Sequence, residues 1–247
     1  MRWHAKQQKH WNGLWDDSGI SSSLSYLTCR IHLFSATAET ILFTLLPYHT
    51  ENLFIRFVQI VSLSDKFSFL SQYADLRAAA TLPPPPRQLF IRALSKDPAF
   101  LEGYFEFVVS RVKRGNGYTS MTKTWSSFTV EAILQMRQAR IPDETIVSRI
   151  MPFIAQGLQS KESAEFQIAS YLVLTILASK RTLADNVIDA AMDAICQGWT
   201  DESRRGALMC LTTLAKSRQG TSAFTDLSIK SLFSLKYFFS LLMRLTC

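Results

Sequence analysis

Glycine is scarce, with 9 in 247 residues. A chain this poor in glycine lacks the tight turns that an all-β design needs between many short strands. Cysteine is scarcer still: four, at Cys29, Cys196, Cys210 and Cys247, with no CxxC pair among them. That spacing removes the common zinc-ribbon and dithiol motifs. Cys196 and Cys210 sit inside helical patterns, where buried reduced thiols are the simplest expectation. Histidine also numbers four. Cys29-x-x-His32 offers ligand types at a usable spacing, but a structural zinc needs four ligands and no second pair exists. His49, after Pro47-Tyr48, reads as a turn residue rather than a base. No GxSxG, HExxH or P-loop occurs. The expectation is therefore no catalytic residue, no metal and no cofactor, so not an enzyme.

Dense charge and long apolar runs are lacking too. The net charge is +7, but the basic residues are spread out, whereas a dedicated nucleic-acid surface usually clusters them. The amino terminus has no apolar segment of signal-peptide type. Leu227–Leu245 is long enough to suggest a membrane span. Lys230, Lys236 and Arg244 interrupt it, and its uninterrupted part, Tyr237–Met243, is too short to cross a bilayer. No membrane is expected as a partner, and no small-molecule substrate.

What is present is apolar periodicity. Hydrophobic residues make up 47% of the chain and charged residues 19%, enough to bury a core. Residues 1–29 show no steady period and read as irregular. From Ala36 a helical pattern runs to Pro47, which stops it. Glu51–Val61 carries Leu53, Phe54, Phe57, Val58 and Val61 on one face. Asp65–Tyr73 reads as a short helix with Ser64 as its N-cap. Pro83–Pro86 admits no helix; it reads as an extended joint, with a polyproline ligand as the alternative. Arg87–Leu94 follows. Asp97-Pro98 then opens a helix to about Lys113, with the N-cap and first-position proline that helix starts favour. Arg114-Gly115-Asn116-Gly117 is a loop.

Beyond it the helices become regular: Met121–Arg140, one opened by Pro142-Asp143, Ser163–Lys180, Leu183–Gly198 and Asp201–Ser217. Short joints force neighbours to pack antiparallel. Phe166, Ala169, Leu172, Val173, Ile176 and Leu177 are expected on the inner side of their helix.

The chain also repeats itself. Ile146–Leu158 laid over Val187–Trp199, at an offset of 41, matches Ile150 with Ala191, Ile154 with Ile195 and Gln156-Gly157 with Gln197-Gly198. Gly157 and Gly198 are expected to end their helices in a left-handed residue. Leu174-Thr175-Ile176-Leu177-Ala178 falls on Leu211-Thr212-Thr213-Leu214-Ala215 at an offset of 37. Helix pairs repeating at about forty residues have the period of HEAT and armadillo arrays. A lone pair cannot bury both apolar faces, and stacking the next pair completes the core. The fold class is all-α: antiparallel helix pairs stacked as a HEAT/armadillo-like α-solenoid. A globular helical bundle is the alternative. The chain divides into an irregular segment 1–29, a repeat region 30–220, and a Phe/Leu/Ser-rich tail 221–247.

Two surface patches are candidate partner contacts. Arg111, Lys113 and Arg114 cluster at a helix C-terminus, where cations also complement the helix dipole. Asp185, Asp189 and Asp193 recur every fourth residue on what reads as an exposed helix face. A solvated face is the ordinary reading, and a basic partner the functional one.

Two stretches carry a family resemblance: RIHLFSATAETILFTLLPYHTENLFIRFVQIV (Arg30–Val61) and YLVLTILASKRTLADNVIDAAMDAI (Tyr171–Ile195). With the segment between them they resemble the amino-terminal region of the fungal U3 small nucleolar RNA-associated protein 10 family, over roughly Arg30 to Ser217. The resemblance implies a long HEAT-repeat protein of the nucleus and nucleolus, acting as a non-catalytic scaffold in the small-subunit processome. It implies support for ribosomal DNA transcription and pre-ribosomal RNA processing. Implied partners are other processome proteins, with pre-ribosomal RNA and the U3 ribonucleoprotein reached indirectly. Family members carry a longer segment before the RIHLF-like stretch and continue far beyond Cys247. From about Thr221 the family pattern is expected to fade, as in a truncated or mispredicted product. Direct RNA binding by the helical repeats is the alternative function, and membrane attachment through the tail is a further one.

Overall fold

A computed structural model describes residues 35–61, 63–74, 83–218 and 223–234. The chain divides into two compact units, 1–86 and 87–247, and the boundary falls at the end of the four prolines. Pro83–Pro86 carry no helix or strand, as the joint reading expects.

In the first unit, helix α1 (Ser35–Leu45) runs into a 3-10 turn, Leu46–Tyr48, with Pro47 at its start. Helix α2 (Asn52–Ile60) follows, then a second 3-10 stretch, Asp65–Leu70, and the single turn α3 (Ser71–Ala74). Phe54, Phe57 and Val58 of α2 are buried, the face that the spacing predicts. Phe43 of α1 meets Phe67 at 5.0 Å between ring centroids, and Lys66 pairs with Glu39 at 3.2 Å. Two expectations change here. The Asp65–Tyr73 helix is mostly 3-10, and Ser64 makes no side-chain cap. His49 is a turn residue, as its context suggests: its ring Nδ1 is 3.0 Å from the Leu46 carbonyl oxygen that accepts from it.

The second unit holds eight described helices: α4 (Arg87–Lys96), α5 (Pro98–Lys113), α6 (Thr119–Gln138), α7 (Asp143–Leu158), α8 (Ala164–Lys180), α9 (Asp185–Gly198), α10 (Arg204–Ser217) and α11 (Asp226–Phe233). Their starts follow local chemistry. The Asp97 carboxylate accepts from the Ala99 N–H at 2.9 Å, with Pro98 at the first position. Ser163 Oγ accepts from the Phe166 N–H at 3.2 Å, and Thr225 Oγ1 from the Ser228 N–H at 3.2 Å.

Each helix but α11 packs on a hairpin neighbour, and all eight pack on the helix two places along the chain. One row is α4, α6, α8 and α10; the other is α5, α7, α9 and α11. This two-row stack is the α-solenoid of HEAT type that the forty-residue period predicts. No strand occurs among the described residues. A bundle around one centre would pack distant helices together; here the principal contacts stay between near neighbours. Aromatic rings run through the interior across four helices. Phe105 of α5 sits 5.5 Å from Trp125 of α6 and 5.3 Å from Phe153 of α7. Trp125 in turn sits 5.0 Å from Phe166 of α8.

Helix ends show where glycine is needed for its backbone freedom. Gly115 has φ +70°. The Gly115 N–H donates to Val112 O and the Asn116 N–H to Arg111 O, both at 2.9 Å; this is a Schellman cap. Arg140 does the same at the end of α6, with φ +57° and bonds from the Arg140 N–H to Arg137 O and the Ile141 N–H to Met136 O. A side chain bearing a Cβ is strained in that conformation. Arg140→Gly is therefore expected to stabilise the chain by about 0.5–1 kcal/mol, read as a raised urea midpoint at unchanged slope.

Gly157 and Gly198 are not left-handed, against expectation: both lie inside their helices. They are small because something comes close. A Cβ on Gly157 would stand 1.9 Å from Ser170 Oγ, and one on Gly198 would stand 2.4 Å from the Leu158 carbonyl oxygen. Leu172, expected inside, is 50% exposed. Helix α8 is apolar nearly all round, so periodicity alone does not single out its inner side.

Candidate functional site

The two patches behave differently. Lys113 and Arg114 are exposed and Arg111 is half-buried. The Arg111 guanidinium lies over the Phe107 ring at 5.4 Å, a cation–π placement. The Lys113 ammonium donates to Gln156 Oε1 at 2.7 Å, tying α5 to α7. Part of this cluster thus serves packing within one row.

The aspartates are not on an open face. All three are half-buried. Arg218 Nη2 donates to Asp189 Oδ2 at 3.0 Å, and Thr225 Oγ1 donates to Asp193 Oδ1 at 2.6 Å. Asp185 opens α9, where a carboxylate complements the helix N-terminus. The ridge binds the chain that follows it: α10's end and α11's cap.

The sequence reading missed the residues that join one repeat to the next. Arg181, at the end of α8, is almost wholly buried and pairs with Asp143 of α7 at 2.8 Å. Its Nη2 also donates to the Ile133 carbonyl of α6 at 3.2 Å, so one side chain ties three helices. Arg218 stands in the same place after α10 and pairs with Asp189 of α9. Extending the LTxLA match by three residues, to LTILASKR and LTTLAKSR, brings Arg181 over Arg218 at the same offset of 37. The signal was there, one turn past the motif. Gln167 left no such trace. Fully buried in α8, its amide nitrogen donates to Leu158 O at 3.0 Å and to Gly198 O at 2.7 Å. It clamps the ends of α7 and α9, two consecutive helices of the opposite row.

Asp143 titrates low. Its carboxylate accepts from the Thr182 backbone N–H and from Arg181, which together outweigh the effect of burial. A depressed native pKa means that the bound proton is disfavoured by folding. The contribution is therefore present above the ordinary aspartate range, near pH 4, and is lost as pH falls through the lower native value. The urea-midpoint gap between wild type and Asp143→Asn is expected to be open at pH 6 and to close below about pH 4. A gap that is constant across this range would remove Asp143 from the acid response.

Cys196 and Cys210 are free and buried. Burial pushes their thiols up to about 11 and about 12, so the reactive thiolate is disfavoured at neutral pH. Burial likewise pushes the Tyr171 hydroxyl up to about 12. Among the described residues no cluster of three His, Cys, Asp or Glu side chains is placed to hold a metal; Cys29 and His32 lie outside them. No helix among them is long and apolar enough to cross a membrane, and residues 235–245 of the tail segment also lie outside.

Known proteins are similar to this chain. The family described as U3 small nucleolar RNA-associated protein 10 matches residues 146–246. That span includes most of the stretch after Thr221, where the family pattern was expected to fade. Curated relatives of that name match more of the chain. The Aspergillus oryzae protein is 25% identical over 211 residues, 81% of this chain and 11% of the relative. The Aspergillus terreus protein is 30% identical over 200 residues, 76% of this chain and 11% of the relative. The Yarrowia lipolytica protein is 27% identical over 198 residues, 80% of this chain and 12% of the relative. The chain spans about a ninth of the length of these relatives. Its two-row helical repeat is thus, over about four-fifths of its length, similar to a segment of fungal U3 small nucleolar RNA-associated protein 10.

Proposed function

We propose that this chain is the amino-terminal repeat segment of a nucleolar ribosome-biogenesis factor and acts as a non-catalytic scaffold. In this reading it helps to assemble the small-subunit processome, and so supports pre-ribosomal RNA processing and ribosomal DNA transcription. Its partners are other processome proteins, with the U3 ribonucleoprotein and pre-ribosomal RNA reached through them. The repeat region, residues 30–220, carries the role. The observation behind the proposal is the likeness over about four-fifths of the chain to relatives named for U3 small nucleolar RNA. A solenoid in which buried Gln167 and Arg181 each tie three helices fits a scaffold. Of the two patches, exposed Arg114 at the end of α5 is the better partner contact, since Lys113, Asp189 and Asp193 are engaged within the chain.

The test is affinity capture with the tagged full chain from nucleolar extract, followed by mass spectrometry with and without ribonuclease. Enrichment of processome proteins that survives ribonuclease is the expected result. A chain that is helical by circular dichroism and recovers none of them would sink the scaffold reading. Enrichment that vanishes with ribonuclease would favour direct RNA binding instead.

A further inference from the structure

The row α6, α8 and α10 leaves apolar side chains outside. Leu134, Leu172 and Met209 are 36%, 50% and 53% exposed, with Ile168 one turn before Leu172 at 42%. Leu172 and Met209 are 37 residues apart, the offset that lays LTILA over LTTLA, and Leu134 precedes Leu172 by 38. Leu172 and Met209 therefore occupy one position in two successive repeats. The buried positions of α6 fall on those of α8 at an offset of 41, so Glu131 holds that position in α6. Leu134 stands one turn beyond it, extending an apolar band across the row. Single exposed apolar residues are ordinary; a band of them that crosses three helices of one row marks a surface meant to be covered.

The charges on these helices are mainly basic, with exposed Glu162, Asp201 and Glu202 just before α8 and α10. On these three helices the exposed cations are Lys123, Arg137, Lys180, Arg205 and Lys216, and the only exposed anion is Glu165. None of the five is held in an ion pair among the described residues. Glu165 already accepts from Thr119, and half-buried Glu131 is held by Arg87.

From this band and its mainly basic rim we infer that the outer face of α6, α8 and α10 is a docking site for an acidic amphipathic helix of a protein partner. Spacing specifies the ligand further. Packed helices lie about 8–10 Å apart, and two turns of an α-helix rise about 11 Å. A helix laid across the row thus presents one residue to each band member when its anchors stand at i, i+7 and i+14. Apolar anchors at those positions would cover Leu134, Leu172 and Met209, and flanking Glu or Asp would meet the cations. RNA fits less well. Single strands bind on aromatic platforms, and no aromatic side chain is exposed on these three helices. The inference stands on the fold and does not depend on the function proposed above.

The test uses the full chain and a fluorescein-labelled 18-residue synthetic helix with Leu at the three anchor positions and Glu on both flanks. Fluorescence anisotropy at 0.15 M salt reads its binding. Saturable binding is expected. The Leu172→Ser/Met209→Ser double variant, whose positions are already exposed, should weaken it roughly 10-fold or more with an unchanged circular dichroism spectrum. Lys180→Glu/Arg205→Glu should weaken it too, and a Lys-for-Glu version of the peptide should not bind. Absent binding, equal binding of the two peptides, or indifference to both variants would overturn the inference. So would displacement by poly(U) RNA whose own binding ignores Leu172→Ser. Self-association abolished by the same Ser variants would assign the face to a second copy and overturn it as well.

Discussion

Gly198→Ala is expected to destabilise the chain by about 2–3 kcal/mol, lowering Tm by roughly 4–12 °C for a domain of this size. Helix propensity alone predicts the opposite sign, since alanine is favoured over glycine by about 1 kcal/mol inside a helix. Packing wins because of what the new methyl meets. It would stand 2.4 Å from the Leu158 carbonyl oxygen and 3.2 Å from the Gln159 Cα. Both are backbone atoms, and backbone does not swing aside as a long side chain does. The ends of α7 and α9 must separate, which stretches both hydrogen bonds from Gln167. Thermal denaturation followed by far-ultraviolet circular dichroism measures the effect. A variant as stable as wild type would mean that the row opens at no cost, and the contact would lose its meaning.

Gln167→Met keeps the volume of the side chain and removes its donors. The expected loss is about 2–4 kcal/mol, since two buried carbonyls lose their side-chain donor and each orphaned group costs about 1–3 kcal/mol. The loss should appear as a lower urea midpoint. Combined with Gly198→Ala, the two losses should fall short of additive by about 0.5–3 kcal/mol, because each change breaks the same junction. Full additivity would show that the clamp and the close approach are separate features. Gln167→Glu sharpens the point: its ionised carboxylate would face the Leu158 and Gly198 carbonyls, so it should be less stable at pH 7 than at pH 4, the reverse of an ordinary acid-sensitive protein.

Much of the architecture was legible in the residues. Asp97-Pro98 marked the start of α5 because a carboxylate cap and a proline with no N–H both suit the first turn. Pro47 ended α1 and Pro83–Pro86 fell at the boundary between the units, since proline admits no helix through it. The match of Ile150 and Ile154 with Ala191 and Ile195 held because buried positions recur when identical hairpins stack; all four are buried. The resemblance carried by Arg30–Val61 and Tyr171–Ile195 agrees with the relatives that the chain matches.

Other readings failed for a common reason. Leu172 was expected inside because α8 offers apolar residues on every side. Gly157 and Gly198 were expected to turn left-handed because glycine near a helix end usually does. Asp189 and Asp193 were expected to be open because a carboxylate every fourth residue usually faces water. Each expectation took the commonest local cause, whereas the actual cause lies in another helix.

The residues by themselves determined the helices, their order, their hairpin pairing and the forty-residue period. All of these follow from spacing along one strand of chain: apolar positions 3.6 residues apart, caps, and prolines. Only the tertiary structure decided that Gln167 joins two helices of the facing row, that Arg181 is buried and Arg218 half-buried in ion pairs rather than solvated, and that Leu134, Leu172 and Met209 lie on an open face. Those facts depend on which side of each helix its neighbours cover, and with α8 apolar all round no local pattern records it.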